Sequence, residues 1–140
     1  MMAAALVTTV RDEVAIEDDE GVVRVRRAVR AAAVAARLSL VDQTKMVTAA
    51  SELARNALVH GGGGTATVEL MNNGRRSGVR VTFADSGPGI ADMRLALTDG
   101  FSTRGGLGLG LSGARRLVDH FDLESEPGSG TRVQVVKWAR

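Results

Sequence analysis

Apolar residues recur at helical spacing in three stretches of this chain and alternate with polar ones in five others. Val22, Val25, Val29, Ala32 and Ala36 mark the buried stripe of a first helix. Asp18, Asp19 and Glu20 supply its acidic, capping start, and the pattern runs to about Leu38. A second helix is predicted from near Asp42 to His60, with Met46, Ala50, Leu53 and Ala57, flanked by Val47, Ala54 and Leu58, as its broad apolar face. The glycines from Gly61 to Gly64 end it. A third helix follows a glycine-rich loop, with Leu111, Ala114, Leu117, Val118 and Phe121 in register.

The strands follow from the period of two. Thr8 to Ile16 predicts an edge strand. Thr65 to Met71 sets Ala66, Val68 and Leu70 against Thr65, Thr67 and Glu69. After a loop from Asn72 to Gly78, Val79 to Ala84 returns with Val79, Val81 and Phe83 toward the core. Phe121 to Glu126 and Thr131 to Trp138 form a last hairpin around Pro127, Gly128, Ser129 and Gly130. Asp92 to Thr98 predicts one more short helix, and Asp99 to Arg104 a connection. Short turns between neighbouring strands predict an α+β, two-layer sandwich, with a mostly antiparallel mixed sheet and helices on one face.

A chain of 140 residues, 44% hydrophobic and 24% charged, can bury a core within one domain, and no repeat or linker divides residues 1–140. Three phenylalanines, one tryptophan and no tyrosine leave the packing to valine, leucine and alanine. A net charge of +2, with no basic run interleaved with aromatics, gives no support to a nucleic-acid partner. The absence of cysteine excludes disulfides and thiolate metal sites. No apolar run is long enough to span a bilayer, and the first residues lack the length and charged flank of a secretion signal. A cytoplasmic location away from membranes is the default expectation. Arg24, Arg26, Arg27, Arg30 and Arg37 fall mostly off the buried stripe of the first helix. They read as a solvated face or, more sharply, as a docking surface for an acidic partner.

Candidate chemistry begins at the glycine loop. Gly105, Gly106, Gly108 and Gly110, interleaved with Leu107 and Leu109, lead straight into a helix, where backbone N–H groups and the helix dipole can seat a phosphate. Gly108, Gly110 and Gly113 also fit a dinucleotide fingerprint, but that motif must follow a strand and open a βαβ unit. Here it follows Phe101, Ser102, Thr103 and Arg104, which make no strand, and too little chain remains after it. Glu52, Asn56 and His60 are spaced four apart, so they share one stripe of the second helix. On that helix alone they read as solvent-exposed. Asp85 stands at a strand end before Ser86, Gly87, Pro88 and Gly89, in a sharp turn that brings a carboxylate to the edge of the sheet.

Together these stretches resemble the Bergerat-fold ATPases, the superfamily of gyrase, Hsp90, histidine kinases and MutL. Glu52-x-x-x-Asn56-Ala57-x-x-His60 is similar to the N box, Asp85-x-Gly87-x-Gly89 to the G1 box, Gly106-x-Gly108-x-Gly110 to the G2 box, and Gly128-x-Gly130-Thr131 to the last glycine box. A bare domain of this size is most similar to the anti-sigma-factor serine/threonine kinases. Ser51 to Asn56, Asp99 to Thr103 and the closing Lys137 to Arg140 resemble the switch kinases of the bacterial stressosome.

The resemblance implies an ATP site with Mg²⁺ and a role for each residue. Asn56 would hold Mg²⁺ through its amide oxygen, a hard ligand. Asp85 would accept a hydrogen bond from the adenine amino group, which guanine lacks at that position. Gly87 and Gly89 would let the backbone pass close to the base, and Thr131 would support it. The loop of Ser102, Thr103, Arg104, Gly105, Gly106, Leu107, Gly108, Leu109 and Gly110 would cover the triphosphate, with Arg104 on phosphate oxygens. His60 would neighbour the phosphates or serve as a cation at the helix C-terminus. Glu52 would be the general base for a substrate hydroxyl. The short interval from Asp85 to Gly110 suits the small lid of a protein kinase. The family also implies a STAS-domain antagonist protein as substrate, and a phosphatase or sigma-regulatory protein as second partner.

Overall fold

The computed structural model describes residues 6–89 and 110–140. Five strands, β1 (Val7–Ile16), β2 (Gly64–Asn72), β3 (Ser77–Asp85), β4 (His120–Glu126) and β5 (Gly130–Trp138), form one sheet in the order β1-β2-β3-β5-β4. Every pairing among them is antiparallel, so no parallel pair of the expected mixed sheet occurs among the described strands. The reason lies in the connection after β1. Two helices, α1 (Asp19–Ala35) and α2 (Leu40–Val59), pack on each other and return the chain to the end where β1 stopped. A single crossover helix would have delivered a parallel neighbour instead. The predicted helix at Asp92 to Thr98 lies outside the described residues.

Both helices begin at a side-chain cap. The Asp18 carboxylate accepts from the Gly21 N–H at 3.0 Å, and the Ser39 hydroxyl from the Asp42 N–H at 3.1 Å. The second cap starts α2 at Leu40, two residues before the expected Asp42. α1 stops three residues short of Leu38 because Arg37 adopts φ +64°, which reverses the chain and tucks Leu38 into the core. Arg26, Arg27 and Arg30 are exposed, as expected.

The helices and α3 (Gly110–Leu117) cover one face of the sheet. Val22, Val25 and Val29 of α1, and Met46, Ala50, Leu53 and Ala57 of α2, are buried against Val68, Val79, Val81, Phe83, Val133 and Val135. On α1 the fully buried alanine is Ala33, and Ala32 lies half-buried beside it. Leu70 is also only half-buried, since its neighbour on the edge strand is the exposed Val10. Met71 is buried instead, on the outer face. There it shares a row with Gly78 and Trp138, and the absent Gly78 side chain leaves room for the indole.

Glu69 points to the outer face, as the alternation requires, yet it is buried. Arg80 donates to both of its oxygens, at 2.9 and 3.0 Å, and the Thr8 hydroxyl adds a bond at 3.2 Å. The Arg80 hydrogen bond and charge outweigh burial and hold the Glu69 carboxyl below its ordinary value. Because the folded value is depressed, the stabilisation is complete above the ordinary carboxylate range and is lost as pH falls through the folded value. Glu69→Gln is expected to cost about 1–3 kcal/mol at neutral pH, and to flatten the acid limb of stability measured by urea denaturation at decreasing pH.

Candidate functional site

The site is built where α2 ends. The N–H of His60 bonds to the Asn56 carbonyl at 2.9 Å, and those of Gly61 and Gly63 to the Ala57 carbonyl at 3.0 and 2.9 Å. These bonds close the helix and lay Gly61 directly on the Asp85 side chain at the end of β3. Gly87 then crosses Gly61 so closely that a Cβ there would lie 2.6 Å from the Gly61 Cα. A side chain at Gly61 or Gly87 would force the two segments apart.

Asp85 is half-buried, and one of its oxygens accepts the Gly87 N–H at 2.9 Å, in the manner of an Asx turn. Across the sheet Asp85 pairs with Thr131, and Thr131 with Ser125. The hydroxyls of Thr131 and Ser125 are 2.9 Å apart. All three side chains stand in register with the core-facing Phe83, Val133 and Leu123 rows, hence on the helix-covered face. Gly130 has φ +89°, and a Cβ on it would run into the Asp85 carbonyl. Gly89 is similarly tight against the Glu126 carbonyl, and the Gly128 N–H bonds to the Pro88 carbonyl at 2.7 Å. The turn after β3 and the turn between β4 and β5 thus interlock.

Glu52, Asn56 and His60 occupy one stripe of α2 that passes from core to surface over about 12 Å. Glu52 is only 4% exposed, Asn56 half-buried and His60 exposed. The solvent-exposed reading of that stripe fails at Glu52, because the apolar face beside it carries this part of α2 down onto the sheet. Gly110 opens α3, whose Leu111, Ser112 and Ala114 are buried and which packs along α2. Ser102, Thr103, Arg104, Gly105, Gly106, Leu107, Gly108 and Leu109 lie outside the described residues.

A hollow of about 360 Å³ opens beside the carboxylate, lined by Gly61 to Thr65, Ala84, Asp85 and Ser86. Of the candidate site residues Asp85 lines it, and Glu52, Asn56 and Thr131 do not. Sequence reasoning passed over two participants, Ser125 and Gly61. Ser125 could have been found only by counting register across the β4–β5 turn. Gly61 read simply as a helix stop.

The profile of the histidine kinase-, DNA gyrase B-, and HSP90-like ATPases matches residues 41–139, a span that holds all four motif stretches. The chain belongs to this ATPase family. Within it, the chain is similar to the serine/threonine-protein kinase RsbT of Bacillus subtilis (strain 168), at 47% identity over 100 residues, 71% of this chain and 75% of that protein. It is also similar to the anti-sigma F factor of Thermoanaerobacter sp. (strain X514), at 31% identity over 97 residues, 65% of this chain and 66% of the other. Among solved structures, that of the RsbU and RsbW domains of Rv1364c from Mycobacterium tuberculosis superposes with a TM-score of 0.64 over 94% of this chain. At 20% identity that likeness is one of fold, and this chain spans 33% of the other's length.

Gly130→Ala is expected to destabilise the protein by about 2 kcal/mol, since it adds left-handed strain to a clash with the Asp85 carbonyl. Chemical denaturation reads the loss, and nucleotide titration of the folded fraction should show weakened binding.

Proposed function

We propose that this protein is a Mg·ATP-dependent serine/threonine protein kinase of the anti-sigma or switch type, with a small STAS-domain antagonist protein as its substrate. The observation that carries this reading is the row of Asp85 and Thr131 at the sheet end, roofed by the glycine exit of the helix that bears Glu52 and Asn56. The cradle fits an adenine nucleotide. The bare backbone at Gly61, Gly87 and Gly130 lets three segments close on Asp85 and fix its carboxylate at the sheet end. The Gly87 N–H orients the Asp85 carboxylate through one oxygen, and the second remains to accept from an exocyclic amine. The Thr131 hydroxyl, held by Ser125, stands beside it.

Asn56 would hold Mg²⁺, and Gly105 to Gly110 with Arg104 would surround the phosphates. Bound Mg·ATP supplies the phosphoryl group. Glu52 lies one helical turn before Asn56, and would take the proton of a serine or threonine hydroxyl as that oxygen attacks. Its burial keeps bulk water from competing for the same position. Phosphorylation of the antagonist would then free the kinase for a second partner, a phosphatase or sigma-regulatory protein. No helix among the described residues is long and apolar enough to cross a membrane, and a cytoplasmic setting suits such a circuit.

The similarity to an anti-sigma F factor favours a second reading, an ATP-binding regulator that sequesters its partner without obligatory phosphotransfer. Incubation with Mg·ATP and a STAS-domain protein encoded nearby, read by intact mass, separates the two. The kinase reading expects a phosphoryl group on the STAS protein, lost in Asp85→Asn through weak ATP binding and in Glu52→Ala with ATP affinity retained. A tight, ATP-dependent complex without transfer would favour sequestration, and full transfer by Glu52→Ala would remove Glu52 as the base.

A further inference from the structure

A buried cation holds the helices together at the end of the sheet remote from Asp85. Lys137, near the end of β5, is 4% exposed. Its Nζ donates to the carbonyl of Leu117, the last residue of α3, at 3.0 Å. It lies 3.7 Å from the carboxylate of Asp42 in the first turn of α2, and 3.9 Å from that of Asp119 just beyond α3. Asp119 is itself fixed by the Trp138 N–H at 2.8 Å and by Arg140 at 2.6 Å. An ammonium ion is costly to bury unless such partners surround it. Here the negative end of the α3 dipole and two carboxylates do so.

The arrangement reaches the site through two antiparallel lever arms. α2 has Asp42 in its first turn and carries Glu52 and Asn56 further along. α3 ends at Leu117 and starts about 10 Å away at Gly110, the last residue of the glycine loop. Lys137 bonds one helix at its end and attracts the other at its start. Resting on the ATP reading above, we propose that Lys137 is a positioning residue for triphosphate binding, fixing where Gly110 enters relative to Asn56. It touches no nucleotide. Its influence falls on the phosphate end of the site, because Gly110 enters at the start of α3, whereas Asp85, Gly87 and Thr131 at the adenine end lie on β3, the turn after it and β5.

The test compares ATP with adenosine, each titrated calorimetrically against the full chain and its Lys137→Met, Lys137→Arg and Asp42→Asn variants. Lys137→Met is expected to weaken ATP about tenfold, the effect of losing roughly one charge-assisted hydrogen bond, while adenosine affinity stays within about twofold. Lys137→Arg, which keeps charge and donors, should recover most of the difference. Hydrogen exchange of the 111–117 amides should speed up in Lys137→Met relative to those of β3. A proportional fall for both ligands, or no change in either, would overturn the proposal. If Lys137→Met does not fold, the partly exposed Asp42→Asn carries the same comparison. A wild-type chain that binds ATP no better than adenosine would overturn the triphosphate reading, and the exchange data would still decide whether Lys137 holds α3.

Discussion

The close approach of three backbone segments to Asp85 is the constraint on which the rest of this structure depends. Gly61 arrives from α2, Gly87 from the turn after β3, and Gly130 from the start of β5. Each lies where a methyl group would meet main chain or the carboxylate itself. A side chain in this knot would separate the helix layer from the sheet where the end of α2 meets Asp85. The knot also interlocks two turns, through Gly89 against Glu126 and Gly128 against Pro88.

The helical hairpin supplies the other half of the geometry. Because α1 and α2 go out and back, β2 begins beside the end of β1, and the C-terminal end of α2 is delivered above Asp85. The packing that seats α2 also decides the environment of its polar stripe. Glu52 is carried into the interior, while Asn56 and His60 lie progressively nearer the surface. Burial sets Glu52 apart from an ordinary surface glutamate at the same helical spacing.

Two further charged groups are buried away from Asp85. Glu69 is matched to Arg80 on the outer face, next to the edge strand. Lys137 is matched to Asp42, Asp119 and the end of α3 on the inner face. Both exchange hydration for directed bonds, and directed bonds fix register and helix position more sharply than apolar contact does. The core supplies most of the adhesion, from small aliphatic side chains that fit a close-packed two-layer arrangement.

Much of this protein was legible in its sequence because the relevant signals are local. The period of the apolar residues identified every described strand and helix, and the residues Glu52, Asn56, Asp85, Gly87, Gly89 and Thr131 stand in motifs whose resemblance to the ATPase family implied a nucleotide site. Element ends were less legible, since Ser39 and Arg37 act through a cap and a reversed φ that the hydrophobic pattern does not record. What only the tertiary structure decided was which polar groups are buried and what they meet. Spacing placed Glu52 and Glu69 on polar stripes, and Lys137 near the end of the last strand, without revealing the cover over the first two or the carboxylates around the third. Burial and partnership depend on elements distant along the chain, and those distances close only when the sheet and helices pack.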